Sequence, residues 1–489
     1  MALRSENAEK LVFDNGRNLR KIHKEIRELY LADERPWVVG YSGGKDSTTT
    51  LQLIWNAIAE LPPKKRRKIV YVISSDTLVE TPVIVDFINQ TIKRINQFAV
   101  QKNMPFRAEK LKPPITQSFW VNLIGRGYAA PQQKFRWCTD RLKIQPSNNF
   151  IMEKISKHGE VILVLGVRRS ESMTRAQVMS LYRIQGTILS RHSYFPRAFV
   201  YTPIEDFTLD DVWDYLLLNP SPWGNDNKDL VTLYRNATGE CPLVLDDTTP
   251  SCGGSRFGCW VCTVITRDKS METLISSGEE WMRPLLDIRN FLASTQDPKM
   301  KPFYREYKRR QGMVSFKSDG SGVISRGPYK LKFCKDILGR VLKAQMDVRS
   351  KGRDPDMQLI LPEELHEIRR IWRTERGDWE DSVPHIYREI TGSDLDWIQD
   401  DLGSFSEKES RLLEQICEAK GVPVRLVSKL LDVEMQLQGM SRRSSIYAKI
   451  ERILAEEWRT EEDLLRYIKD HNLMSRDNNL VPKEAGGPK

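Results

Sequence analysis

The stretch Ser42-Gly43-Gly44-Lys45-Asp46-Ser47 stands between an apolar run, Trp37 to Tyr41, and a segment of helical periodicity over 47–61. Adjacent glycines let a backbone approach an anion closely, and the first N–H groups of a helix have no partner within it. A turn of this kind, opening a helix directly after a buried strand, is suited to holding phosphate. Lys45 and Asp46 place a cation and a carboxylate at that turn, with hydroxyls at Ser42 and Ser47. It is not a Walker A loop, because Val39 stands where that pattern requires its first glycine.

Sulfur forms the second set. Four of the seven cysteines, Cys241, Cys252, Cys259 and Cys262, fall between 241 and 262. An odd count in a long chain argues against a disulfide framework and leaves metal binding or thiol chemistry. Cys252, Cys259 and Cys262 have the tight spacing of thiolate ligands, and no histidine lies nearby to complete a mixed site. Zinc and an iron–sulfur cluster both accept such ligands. Cys334 and Cys417 fall in helical patterns, where a thiol serves as a small apolar packing group.

The elements that must position these residues follow from periodicity. Residues 6–32 alternate apolar and charged positions at helical spacing, which predicts an N-terminal helix within 1–35. Over 36–290, short apolar runs such as PWVVGY, KIVYVISSD, EVILVLGV and FVYTPI alternate with helical segments, which predicts a parallel α/β sheet. Charged helical patterns dominate 291–489, so a separate, mainly helical basic domain is expected there, with SDGSGVISRGP (318–328) as a loop near its start. The formal charge of +10, from 76 basic and 66 acidic residues, suits a polyanionic partner without requiring one. The run KKRRK (64–68) reads as an exposed loop before a strand. No apolar run approaches the roughly 18 residues of a bilayer span, and MALRSENAEK lacks a signal-peptide core. A cytoplasmic location with no membrane partner is the expectation.

Four segments occur in a fixed order: SGGKDS (42–47), RWCTDRLKIQP (136–146), LGVRRSESMTRA (165–176) and TPIEDFTLDDVWDYL (202–216). In that order they resemble the adenine-nucleotide α-hydrolases, which cleave ATP between its α and β phosphates, and within them the sulfonucleotide reductase branch. The resemblance implies a Rossmann-like parallel-sheet core in which Ser42, Gly43, Gly44, Lys45, Asp46, Ser47, Asp76, Gly166, Arg168 and Arg169 bind ATP. It implies catalytic roles for Lys45, Asp46 and Arg168, with Asp46 also a candidate magnesium ligand; Arg141 and Lys143 are further candidates for phosphate contact. Asp76 could equally be a turn aspartate.

In cluster-bearing reductases a CxxC after the DVWDYL-like helix joins a cysteine at the position of Cys138. This implies a [4Fe–4S] cluster on Cys138, Cys252, Cys259 and Cys262, with Cys241 as a catalytic free thiol or substitute ligand. The chain departs from that pattern at Trp137, where the family has a second cysteine, and a structural Zn(Cys)4 site competes with the cluster. A reductase-like core with a cluster and a basic helical extension resembles the Dnd-type DNA sulfur-modification proteins, component C. That resemblance implies an ATP pyrophosphatase and sulfurtransferase that adenylates a DNA backbone phosphate for phosphorothioation. Its partners would be DNA, a cysteine desulfurase as sulfur donor, and sister proteins of the same system. A sulfonucleotide reductase would need a nucleophilic cysteine in an ECGLH-like tail, which LVPKEAGGPK lacks. A tRNA thiolase would use the same ATP site and cluster, and a nonenzymatic ATP-binding sensor would hold ATP without releasing pyrophosphate.

Overall fold

The computed structural model describes residues 12–14, 16–236, 258–317, 321–397, 407–437 and 446–470. The chain divides into two units, one formed by 1–114 with 131–289, the other by 115–130 with 290–489.

The first unit is built on a six-stranded sheet in the order β3-β2-β1-β4-β6-β5. Its strands are β1 (Trp37–Gly40), β2 (Val70–Ser75), β3 (Phe106–Leu111), β4 (Val161–Val164), β5 (Ser190–Arg191) and β6 (Ala198–Tyr201). All neighbours are parallel except β5, which runs antiparallel to β6 at the edge. The expected mostly parallel sheet with flanking helices is therefore the observed one. Side chains alternate between two cores: Trp37 and Val39 enter one with Val70 and Val72, whereas Val38 enters the other with Tyr71 and Ile73. Both faces of β1 are buried, which explains its uninterrupted apolar run.

Among the described residues helix α1 occupies Leu19–Leu31 and does not extend back to Val12, while residues 6–11 of the expected helix lie outside the described residues. Asn18 stops it: its side chain accepts from Lys21 N at 3.0 Å, and Val12 bridges back to Asn18 in a tight turn. Helix α2 (Lys45–Ala59) follows β1, α3 (Pro82–Gln101) follows β2, and α4 (Gln145–His158) precedes β4. Helices α5 (Met173–Leu181), α6 (Leu209–Leu218) and α7 (Asn227–Asn236) come later in the same unit. The KKRRK run is only partly a solvated loop. Arg66 donates to the carbonyls of Leu61 and Ala59 at 2.8 and 2.7 Å, closing the end of α2. Lys68 is buried, 3.1 Å from Asp33 and over the rings of Tyr30 and Trp37.

The second unit is helical among its described residues, as expected. Helices α8 (Leu331–Lys351), α9 (Pro362–Glu375) and α10 (Ser382–Thr391) are followed by α11 (Glu407–Lys420), α12 (Val424–Leu437), α13 (Ile446–Leu454) and α14 (Glu461–Asp470). Segment 115–130 belongs to this unit: Trp120 Nε1 donates to Leu359 O at 2.7 Å, and Trp372 Nε1 to Ile124 O at 2.9 Å. Cys334 and Cys417 are buried, as packing thiols would be. The basic run KMKPFYREYKRRQ (299–311) is partly internal, since Arg305 donates to Gly327 O and Arg326 O at 2.7 and 2.5 Å. Of the loop 318–328, residues 321–328 are described, and Arg326 pairs there with Glu461. No helix among the described residues is long and apolar enough to cross a membrane.

Candidate active site

β1 lies between β2 and β4: from β1 the chain runs outward through β2 to β3, then returns to β4 on the other side of β1. The crevice beyond the carboxyl ends of β1 and β4 is the switch point at which open α/β sheets bind ligands. The loop Ser42–Gly44 leaves β1 there. Gly43 takes φ +74, and a Cβ on it would meet Ile88 Cγ1 at 2.9 Å, so both backbone and space call for glycine. Gly44 caps α2 without a side-chain hydrogen bond. Ser47 braces the turn: its Oγ donates to Gly44 O at 2.9 Å and accepts from Ser42 N at 3.2 Å. Ser42 Oγ in turn accepts from Gly44 N at 3.4 Å.

Three charged side chains are buried at this turn: Lys45 is 1% exposed, Asp46 8% and Arg168 4%. Asp46 is held from two sides, its Oδ1 by Arg168 Nε at 2.5 Å and its Oδ2 by Lys45 Nζ at 2.9 Å. Arg168 also donates to Ser170 Oγ at 3.0 Å, and Ser170 Oγ donates to Phe207 O at 3.1 Å, which ties the arginine to the turn before α6. Lys45 and Arg168 are buried cations beside the N-terminus of α2, an arrangement suited to a phosphate anion. The residues present thus fit a nucleotide phosphate. They do not fit magnesium on Asp46, since both of its oxygens already face cations. Gly166 lets this cluster assemble: a Cβ there would sit 2.7 Å from Asp46 O and 2.8 Å from Thr50 Oγ1.

The other expected ATP residues are not all gathered at the turn. Asp76 closes the turn after β2, accepting from Leu78 N at 3.1 Å, and pairs with Lys110 at 2.7 Å. Arg169 turns to Glu205 at 2.6 Å, away from the Asp46 cluster that its neighbour Arg168 joins. Lys143 faces Glu80 at 3.8 Å.

Cys138, Cys259 and Cys262 are described; Cys241 and Cys252 lie outside the described residues. The CxxC turn is stitched to the segment after β2. Glu80 bridges Cys259, Trp260 N donates to Val79 O at 3.0 Å, and Thr77 Oγ1 lies 3.2 Å from Cys259 Sγ. Arg289 holds the far side, donating to Cys262 O and Thr266 O at 3.0 Å each. Burial, and then the neighbouring Cys262 sulfur, push the Cys138 thiol up to about 12. Burial also raises the Cys259 thiol, against the opposing charge of Lys143. Such thiols become thiolates only with a compensating cation. Among the described residues, however, no group of three or more His, Cys, Asp or Glu side chains is set to hold a metal ion. The three described thiols share a neighbourhood without closing a cluster site by themselves.

Two contacts escaped sequence reasoning. Glu80 and Lys143 flank the thiols, and burial raises the Glu80 carboxyl. Tyr234, in the otherwise ordinary helical stretch NKDLVTLYRN, accepts from Lys45 N through its hydroxyl at 3.2 Å. Neither Glu80 nor Tyr234 belongs to a motif, and no local spacing connects either to its partner.

Residues 36–264 match the phosphoadenosine phosphosulfate reductase domain, and residues 408–455 match a small protein found in certain Dnd DNA modification systems. An uncharacterized protein of Methanocaldococcus jannaschii is 26% identical over 237 residues, which cover 48% of this chain and 38% of that relative's length. Among solved structures, phosphoadenylyl-sulfate reductase from Candida auris in its phosphate complex aligns at 14% identity and TM-score 0.28, over 44% of this chain and 90% of that one. A U34-tRNA thiolase from Methanococcus maripaludis with its [4Fe–4S] cluster aligns at 14% identity and TM-score 0.27, over 45% of this chain and 76% of that one. The first unit thus carries a reductase-like domain, and the second a Dnd-associated segment.

Proposed function

We propose that this protein is an ATP pyrophosphatase and sulfurtransferase of DNA sulfur modification, which adenylates a DNA backbone phosphate so that sulfur can replace a nonbridging oxygen. The observation that carries the ATP half is the buried Lys45, Asp46 and Arg168 cluster under the glycine turn. Its buried lysine and arginine and the N-terminus of α2 suit the β and γ phosphates. The DNA half is supported by the match of 408–455 to a Dnd-system protein in the same chain as a reductase-like domain.

In this reading a nonbridging oxygen of DNA phosphate attacks the α phosphorus of ATP. The bond from that phosphorus to the β-phosphate oxygen breaks, and pyrophosphate leaves with its electron pair. Lys45, Arg168 and the first N–H groups of α2 stabilise the charge that gathers on it, in a setting arranged before the reaction begins. A sulfur nucleophile at the oxidation level of hydrosulfide then bonds to the DNA phosphorus, and AMP leaves carrying the former DNA oxygen. Adenylation is needed because an unactivated phosphate oxygen is a poor leaving group. Cys138, Cys252, Cys259 and Cys262 would ligate a [4Fe–4S] cluster, leaving Cys241 as a sulfur-handling thiol. A cysteine desulfurase would supply the sulfur as a persulfide, from which a thiol reductant releases hydrosulfide while it is itself oxidised to a disulfide, and sister proteins complete the system.

The test is to incubate anaerobically purified protein with ATP labelled at the α phosphate and to separate the products. AMP with pyrophosphate is expected. ADP with phosphate would overturn the reading. Duplex DNA supplied with ATP, desulfurase, cysteine and a thiol reductant should yield phosphorothioate dinucleotides after nuclease digestion, detected by mass spectrometry.

A further inference from the structure

Helix α7 lies antiparallel to α2 at two matched points. Gln52 Nε2 donates to Asn227 Oδ1 at 2.9 Å, and Lys45 N donates to Tyr234 Oη at 3.2 Å. These contacts are seven residues apart on each helix, about two turns, so the pairing at one end delivers the tyrosine to the other. Asn227 is anchored further by its donation to the carbonyls of Leu216 and Asn219, both at 2.9 Å. The Tyr234 ring is set edge to face on Trp213 at 5.2 Å, and Lys45 Nζ lies 5.4 Å from its centroid. Gly44 leaves room for the hydroxyl, because a Cβ there would meet Tyr234 Oη at 3.0 Å.

The hydroxyl therefore occupies a place at the N-terminus of α2 where a phosphate oxygen would accept. We infer that Tyr234 is a further residue of the phosphate site, whose phenolic oxygen holds the Lys45 N–H between turnovers and yields it to the entering phosphate. The inference rests on the reading of this loop as an ATP site and adds the residue that competes for it. A phosphate oxygen is charged and accepts more strongly than a neutral phenol, so the exchange runs toward bound nucleotide. The returning phenol re-pairs the N–H as pyrophosphate departs, which lowers the cost of product release. Ring packing and hydroxyl contact are separable. Tyr234→Phe keeps the first and deletes the second.

Full-length protein and the Tyr234→Phe variant are titrated with inorganic pyrophosphate by calorimetry, with circular dichroism to check folding. The variant should bind about two- to tenfold more tightly, the worth of one neutral hydrogen bond. In turnover, KM for ATP and the inhibition constant for pyrophosphate should fall together. Hydrogen exchange on the wild-type protein supplies a second readout: saturating pyrophosphate should change protection across 227–236. Equal or weaker pyrophosphate binding by a folded variant overturns the role of Tyr234 and leaves the loop's assignment standing. If the wild-type protein binds neither ATP nor pyrophosphate, the assignment of the loop falls, and this inference with it. Should the variant misfold, wild-type exchange decides, and unchanged protection across 227–236 overturns the inference.

Discussion

Arg168 Nε lies 2.5 Å from Asp46 Oδ1, joining the turn after β4 to the first turn of the helix after β1. The contact spans 122 residues of sequence and crosses the sheet's switch point. The arginine adds a second buried cation to that of Lys45 at the glycine turn.

Replacing Asp46 should therefore cost more than activity. Asp46→Asn keeps the size of the side chain but leaves Lys45 and Arg168 buried without their shared carboxylate. A loss of about 3–5 kcal/mol in unfolding free energy is expected, together with loss of ATP cleavage. Urea denaturation measures the first. A variant as stable as the parent would mean that the two cations are balanced by other groups.

Gly166 and Gly159 separate close packing from backbone strain. Gly166→Ala would drive a methyl group into Asp46 O at 2.7 Å, displacing the first turn of α2. It should cost about 1–3 kcal/mol and weaken ATP binding. Gly159 has φ +83 but nothing within 4 Å of its would-be Cβ, so Gly159→Ala should cost about 1–2 kcal/mol while leaving ATP affinity unchanged. Equal ATP affinities for the two variants would show that Gly166 does not shape the site.

Cys138→Ser and Cys241→Ser distinguish the ligand sets. Cys138 shares the neighbourhood of Cys259 and Cys262. The expected outcome after anaerobic purification is iron lost from Cys138→Ser and kept by Cys241→Ser, read by metal analysis and visible absorption. The reverse pattern would transfer the fourth ligand to Cys241 and free Cys138 to carry sulfur.

Glu364 makes the helical unit pH-sensitive. Burial pushes its carboxyl up from 4.5 to about 7, although Leu361 N donates to Oε2 at 2.8 Å. The folded state thus holds the proton more tightly than the unfolded chain, so stability falls as pH rises through the window from about 4.5 to about 7. Glu364→Gln keeps an acceptor for Leu361 N and removes the titration. It should flatten that slope and be the more stable protein at pH above the window, by up to about 3 kcal/mol. Parallel stability profiles for parent and variant, from urea titrations across the window, would rule this out.

The strand, turn and helix around SGGKDS were legible because each depends on local chemistry. A short uninterrupted apolar run marks a buried strand, adjacent glycines permit Gly43 its φ of +74, and helical periodicity begins at the next residues. The parallel architecture was legible for the same reason, strand by strand. The helix start at Leu19 was not, because hydrophobic spacing continues through residues that the Asn18 cap excludes.

Partners across the fold were decided elsewhere. Arg168 and Arg169 are adjacent and chemically identical, yet one faces Asp46 and the other Glu205, a choice set by how the chain leaves β4. Asp76 stands at the strand end where the sequence put it, but Lys110 on the neighbouring strand engages its carboxylate. Lys68, in a run that reads as solvated, is buried because Tyr30 of α1, Asp33 just after that helix and Trp37 of β1 gather around it. Tyr234 reaches the glycine turn because α7 docks on α2 through Asn227. The sequence by itself determined the conformations that dihedral preference and hydrophobic period encode within a few residues. Tertiary structure decided which charges meet, because burial makes an unpaired charge costly and only the strand order brings its partner within reach.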